Sequence, residues 1–370
     1  MVSIAFTGGG TGGHIYPGLA IASWIKKLFP CRIFWIGSDN GMDRDIVEGA
    51  GLEFFGIPSG KLRRYFSLRN ISDIFRVASG FFAARRILRK EAPGILFSKG
   101  GFVSVPPCAA AKILKIPVFT HESDYSPGLA NRINTRFAER IFVSYAESSA
   151  LFMEAARGKV SVSGNPVRVE FEAADAEKGR AFLGLGGGER ILLVLGGSLG
   201  SREINELVTA CLPELTKHYT VVHQTGEGAA EVREASGPYK PYAYFREEIC
   251  HVIAAAELVL CRSGAGTIWE CKSLGKPMVL VPLRGSGTRG DQVENARLFC
   301  DSGAAIRFIP DSEDTNADSA AKLAALIASL AEDPEKRRIM GEAKIAGTGG
   351  SGETCAAAFI AEEIIKRLRE

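Results

Sequence analysis

The chain has 370 residues, 46% of them apolar, and a net charge of only +3. That length suits one large or two medium domains with sizeable cores, and the near-neutral balance excludes a global nucleic-acid footprint. No uncharged apolar run reaches the roughly 18 residues of a bilayer-spanning helix.

The opening MVSIAF lacks the basic start and cleavage site of a signal peptide. Its apolar strand, 2–6, runs straight into FTGGGTGGH at 6–14. Gly8, Gly10 and Gly13 spell G-x-G-x-x-G. A glycine turn between strand and helix lets a ligand approach backbone N–H groups while the helix offers its positive end, and phosphate is the common occupant. Further strands are expected at 31–36, 53–57, 94–98, 117–120 and 140–144, with helical periodicity between them. That alternation implies a parallel sheet wrapped by helices. Asp43 and Asp45 form a D-x-D pattern, read here as a solvated first helical turn rather than a metal site.

Residues 61–90 carry nine Lys or Arg against one acid, Asp73, interleaved with Tyr65, Phe66, Phe75, Phe81 and Phe82. A basic amphipathic segment with aromatics suits an anionic membrane surface. The plainer reading is a helix with a solvated basic face. Arg64, Phe75, Phe81, Phe82, Arg85, Arg86 and Arg89 are the candidate membrane contacts. No RNA-binding motif accompanies them.

The alternation restarts after a linker at 164–190, with strands expected at 190–195, 219–223, 258–261 and 277–282. The fold class is therefore α/β: two Rossmann-like domains with mostly parallel sheets, 1–164 and 165–349. The amphipathic stretch 350–370 is expected to return to the first domain. Eight cysteines are scattered without C-x-x-C or Cys-His zinc spacing, as in a cytosolic protein with reduced thiols. No metal and no cofactor are expected.

A nicotinamide enzyme needs an acidic residue at the end of the second strand. Here that strand ends WIGSDNG, with Asp39 displaced beyond a Gly-Ser turn, and no G-x-x-x-x-G-K-[ST] occurs. In the second half, GGSLGS (196–201) repeats the phosphate-loop pattern. CRSGAGTIWE (261–270) places Glu270 on a helix, where a carboxylate can accept from a ribose diol or simply favour the helix start. In RGDQVENA, Asp291 and Gln292 suit sugar hydroxyls or a helix cap. His14, His121 and His223 each fall near the end of a strand, the sheet edge that faces ligands in open α/β folds. His121 is followed by Glu122, so either member of the pair, or His14, suits a proton-accepting role.

Taken together, GGGTGGHIYPGLA, SKGGFVSVP, HESDYSPGLAN, SGNPVR, GGSLGS, RSGAGTIWE and DQVENA occur in order along nearly the whole chain. The set resembles the MurG family, the UDP-N-acetylglucosamine:N-acetylmuramyl-(pentapeptide) pyrophosphoryl-undecaprenol N-acetylglucosamine transferases. The resemblance implies a GT-B fold with its site in a central cleft. It implies transfer of GlcNAc from UDP-GlcNAc to the MurNAc 4-hydroxyl of lipid I, with inversion, giving lipid II for peptidoglycan. His14 is then the favoured base and Glu122 the second candidate, with Gly10 and His121 toward the acceptor. Thr11, Gly12 and Gly13 would meet diphosphate. Ser198, Arg168, Ala265, Gly266, Thr267, Ile268, Glu270 and Gln292 would hold the donor, and main chain near Arg246 the uracil. Many members continue the His-Glu pair as Gln-Asn, whereas this chain has Ser123 and Asp124. Asp124 brings an acceptor-only carboxylate toward the donor. The implied partners are UDP-GlcNAc, lipid I, an anionic membrane surface and other cell-wall synthesis proteins, with no nucleic acid. The implied location is the cytoplasmic face of the cell membrane, peripherally bound. Rival readings are a GT-B transferase with another acceptor, a UDP-GlcNAc 2-epimerase and a non-catalytic nucleotide-sugar binding protein.

Overall fold

The computed structural model describes residues 2–60, 69–197, 200–227, 229, 235–285, 290–311, 313–345 and 355–370, with side chains at 69–72 excluded. The chain divides into two units, Met1–Arg168 with Gly347–Glu370, and Val169–Ala346.

The first unit holds β1 (Ser3–Thr7), β2 (Arg32–Ser38), β3 (Glu53–Ile57), β4 (Ile95–Ser98), β5 (Val118–Glu122), β6 (Arg140–Val143) and β7 (Val160–Val162). All are parallel, in the order β3-β2-β1-β4-β5-β6-β7. Strand β1 is apolar at its centre because helices cover both faces, and Ile4, Ala5 and Phe6 are fully buried. The helices are α1 (Tyr16–Leu28), α2 (Asp43–Gly49), α3 (Arg69–Glu91), α4 (Val105–Ile113), α5 (Leu129–Asn134) and α6 (Glu154–Arg157).

The second unit has α7 (Ala176–Leu183), β8 (Ile191–Leu195), α8 (Arg202–Leu215), β9 (Thr220–Gln224), β10 (Tyr239–Tyr242), α9 (Ile249–Ala255), β11 (Leu258–Cys261) and α10 (Ala265–Ser273). It continues with β12 (Met278–Leu280), α11 (Asp291–Asp301), β13 (Ala305–Arg307), α12 (Asn316–Glu332) and α13 (Pro334–Glu342). Its parallel sheet runs β10-β9-β8-β11-β12-β13. Helix α14 (Ala356–Arg369) packs on α1 in the first unit. Its Ile360 and Ile364 are buried with Ile21 and Ile25, and Glu363 pairs with Arg140.

Strand order reverses between β1 and β4 in the first sheet and between β8 and β11 in the second. Such reversal points open a crevice at the strand C-termini, where ligands bind in open α/β folds. The glycine loops follow β1 and β8, and the segments Lys99–Gly101 and Arg262–Gly264 follow β4 and β11. Topology therefore delivers the candidate motifs of each unit to that unit's own crevice. Three strands lack a counterpart in the sequence reading, β7, β10 and β13. All are sheet edges of three or four residues. An edge strand is half-covered, so it carries no continuous apolar run, and β10 accommodates Pro241 because an edge tolerates a missing donor.

Candidate active site

In the first unit the glycine loop is held from below by Asp43, the first residue of α2. Asp43 is fully buried. Its Oδ1 accepts from Gly10 N at 2.9 Å and its Oδ2 from Ser38 N at 3.0 Å. Burial raises its pKa above the ordinary value of 3.8, and the two backbone donors only partly oppose that. The sequence reading of Asp43 as solvated is thus corrected: a helix start facing the sheet edge points this carboxylate inward, while Asp45 is exposed. The same packing explains most of the glycines. A Cβ on Gly9 would lie 1.9 Å from Asp43 Oδ2, and one on Gly10 would lie 2.6 Å from the Phe102 ring. Gly13 is exposed, and a Cβ there would meet nothing closer than Thr11 Oγ1 at 3.9 Å. Thr11 is also exposed, whereas Gly12 lies against the Tyr16 ring. The open part of the loop is therefore Thr11 and Gly13, beside His14.

His14 ends the short 3-10 turn Gly12–His14 and is half-buried. Its Nδ1 lies 3.3 Å from Lys99 O. A carbonyl only accepts, so this contact places the proton on Nδ1 and the basic lone pair on Nε2. Arg168 lies over the Tyr16 ring at 5.0 Å, within the same unit.

His121 and Glu122 end β5, and both side chains are buried there. His121 is fully buried, and its Nε2 donates to Gly164 O at 3.0 Å. Burial, then the charge of Lys99, holds its pKa well below the usual value, so it is neutral. Glu122 is 5% exposed. Its Oε1 accepts from Asp124 N at 3.1 Å, and its Oε2 from Gly128 N and Asn131 Nδ2, both at 2.9 Å. Burial raises its pKa, and both oxygens are engaged in closing the 123–128 turn. The strand alternates, so two consecutive residues of β5 cannot both be read as ligand-facing merely because they end it. Asp124 is half-buried on that turn.

In the second unit, Gly196 and Gly200 are required by contacts with Ser201 and Thr225, while Gly197 faces open space with φ +95°. Ser198 lies outside the described residues. The N-terminus of α10 starts at Gly264 without a side-chain cap among the described residues. Around Gly264 and Gly266 nothing would meet a Cβ within 4 Å, so this helix start presents bare backbone donors. Ala265, Gly266 and Thr267 supply them. Ile268 departs from the expected cradle, since its side chain is fully buried and its N–H bonds Gly264 O at 3.2 Å. Glu270 is half-buried on the same helix. Gln292 Oε1 accepts from Leu283 N at 2.9 Å. Arg246 is exposed, its N–H bonded to Glu248 Oε2 at 3.3 Å. His223 is fully buried between Asn205 Oδ1 and Tyr239 Oη, both 3.1 Å away, as a structural residue. Sequence reasoning missed Gln224, at the end of β9. Its Nε2 donates to Gly197 O at 3.2 Å and its Oε1 accepts from Phe245 N at 3.0 Å, so it ties the glycine loop to the Phe245–Arg246 segment. Its position at a strand C-terminus was the available signal.

The N-terminal domain of glycosyltransferase family 28 matches residues 4–143, and the C-terminal domain of that family matches residues 191–352. A UDP-N-acetylglucosamine–N-acetylmuramyl-(pentapeptide) pyrophosphoryl-undecaprenol N-acetylglucosamine transferase of Treponema denticola is 51% identical over 82% of this chain and 83% of its own length. The chain belongs to the MurG family. Among solved structures, Acinetobacter baumannii MurG aligns with a TM-score of 0.70 and 22% identity, covering 99% of this chain and 100% of that one. A Neisseria meningitidis UDP-GlcNAc 2-epimerase, solved with UDP-GlcNAc, gives 0.71 and 15% over the same shares. At such identities both likenesses speak to the GT-B fold alone.

The MurG-family chain also carries the basic segment. Arg64 lies outside the described residues. On α3, Ile74, Phe75 and Phe82 are 57%, 71% and 65% exposed, and Arg86, Arg89 and Lys90 are exposed toward its C-terminus. Phe81 departs from the expected membrane contacts, because it turns inward against the core beside Ala84 and Leu88. Arg85 is half-buried, and Arg76 is tied to Ser59 O and Asp39. Sequence reasoning missed Ile113, 59% exposed at the end of α4, which packs on α3. No helix among the described residues is long and apolar enough to cross a membrane.

Proposed function

We propose that this hexosyltransferase moves N-acetylglucosamine from UDP-GlcNAc to the 4-hydroxyl of the muramyl sugar on lipid I, with inversion, forming lipid II. Membership of the MurG family carries the reading. The geometry of each unit supports its division of labour. The second unit holds the donor: the bare α10 start faces phosphate, Glu270 the ribose and Gln292 the GlcNAc hydroxyls. The first unit serves the acceptor, with His14 Nε2 taking the hydroxyl proton as that oxygen attacks the anomeric carbon and UDP departs from the opposite face. Charge growing on UDP is met by backbone N–H groups already oriented for it, so little reorganisation is needed in the transition state. Glu122 is the weaker base candidate because both its oxygens are engaged.

Incubation of the protein with labelled UDP-GlcNAc and lipid I tests the reading directly. The expected product is labelled lipid II, formed equally well in EDTA. Free UDP with no labelled lipid, or 2-epimerised sugar, would replace it with one of the rival readings. Activity lost on chelation and restored by a divalent ion would overturn the metal-free part.

The exposed α3 stripe, extended by Ile113, is proposed to rest on the anionic membrane surface that carries the lipid acceptor. Its apolar members enter the interface while Arg86, Arg89 and Lys90 meet headgroups. Changing those three cations to Ala is expected to weaken partition to anionic vesicles by about 3 kcal/mol at low salt, at roughly 1 kcal/mol per charge, and by less at high salt. Vesicle co-sedimentation reads this, and unaltered binding would mark the stripe as an ordinary solvated face.

A further inference from the structure

Lys99 is a cation inside the protein, 1% exposed, that the reading above leaves without a role. It follows β4 at the point of strand reversal, between the glycine loop and the turn after β5. Its N–H donates to Thr7 O at 2.8 Å, and its carbonyl accepts from His14 Nδ1 at 3.3 Å. Its ammonium donates to Ser123 Oγ at 2.7 Å, and that hydroxyl donates onward to Asn165 Oδ1 at 2.5 Å. The charges facing it come from β5 and its turn. Glu122 and Asp124 both favour its protonated form, and neutral His121 lies beside them. A buried ammonium is costly, and an apolar side chain of the same length would fill the space more cheaply.

We propose that Lys99 is a positioning residue for the transfer: its carbonyl orients the His14 ring, while its ammonium holds Ser123 and offsets the carboxylates of Glu122 and Asp124. The inference rests on the transfer reading, in which His14 accepts the proton. Without the cation, two carboxylates would share one turn with little solvent to separate them.

A pH dependence follows. Burial lowers the Lys99 pKa from 10.5 to about 8, even with the two acids pulling it upward. As the pH rises past that value the turn loses its cation, and kcat/KM falls. The test is the pH profile of kcat/KM, with UDP-GlcNAc and lipid I, for the wild type, Lys99→Met, Asp124→Asn and the double variant. The wild type is expected to show an alkaline limb near the Lys99 value, and Lys99→Met to lack it. At neutral pH, Lys99→Met is expected to lose roughly tenfold in kcat/KM, with the double variant losing less than the sum of the singles because the groups are coupled. Asp124→Asn removes a charge that raises the Lys99 pKa, so its limb moves to lower pH. An alkaline limb retained by Lys99→Met, or additive losses, would overturn the proposal. If Lys99→Met does not fold, an alkaline limb left in place by Asp124→Asn overturns it instead. A wild-type protein that forms no labelled lipid overturns the transfer reading itself.

Discussion

Replacing His14 with Ala is expected to lower kcat by about 10²–10⁴, the usual contribution of a positioned general base, while UDP-GlcNAc affinity stays close to wild type. The split follows from where the side chain sits. His14 belongs to the first unit and shares a crevice edge with Thr11 and Gly13, whereas Glu270, Gln292 and the α10 start, proposed for the donor, lie in the second unit. The Lys99 carbonyl fixes the tautomer, so the ring offers Nε2 as a base without needing to reorient. Steady-state kinetics with lipid I, together with calorimetric titration of UDP-GlcNAc, separate the two quantities. Turnover near the wild-type rate would remove His14 from the base role. A large loss of donor affinity with kcat preserved would make it a binding residue.

Asp43→Ala is expected to cost about 2–4 kcal/mol of stability, because Gly10 N and Ser38 N lose their acceptor in a site with little water. Turnover should fall as well, since the glycine loop loses the anchor that holds Thr11 and Gly13 beside His14. Asp43→Asn, which keeps one acceptor oxygen, should lose roughly half as much. The pH dependence has a definite sign. Burial raises the folded-state pKa above 3.8, so the folded protein holds this proton more tightly than the unfolded chain does. The proton-linked part of the stability is therefore fully present below the unfolded value and is lost as pH rises through the raised one, while the hydrogen bonds from Gly10 N and Ser38 N remain with the ionised carboxylate. Urea unfolding of wild type and variant across the acid range measures it. Equal midpoints would show that the loop is held by other contacts.

Asp43 also illustrates what sequence reading misses. An acidic residue at a helix start is usually solvated, and nothing in the letters D-R-D says that one of the pair faces a loop formed far earlier in the chain. The glycine loop shows the converse. Five glycines in FTGGGTGGH were read as room for a ligand. Contacts with His14 O, Asp43 and Phe102 account for Gly8, Gly9 and Gly10, and the open space is confined to Gly13. A sequence records that a side chain is missing but not which neighbour occupies the space. His121 and Glu122 show a related limit. Their place at the end of a strand was legible, but not the hydrogen bonds that engage both side chains, with Gly164, 43 residues beyond His121, and with Gly128 and Asn131 just past the following turn.

By itself the sequence determined the two alternating α/β series, the central strands and the glycine turns that follow them, and the family to which the motifs point. These are local signals, because a strand covered on both faces must be apolar along its length and a tight strand-to-helix turn needs glycine. Tertiary structure alone decided which polar groups face outward. It buried the side chains of His121, Glu122 and Ile268, set His14 against the Lys99 carbonyl, and placed a buried ammonium beside Ser123. Those outcomes depend on which strands become neighbours. Pairing of β1 with β4 brings residues some ninety positions apart to one edge, and only there do desolvation and hydrogen bonding fix the charge each group can carry.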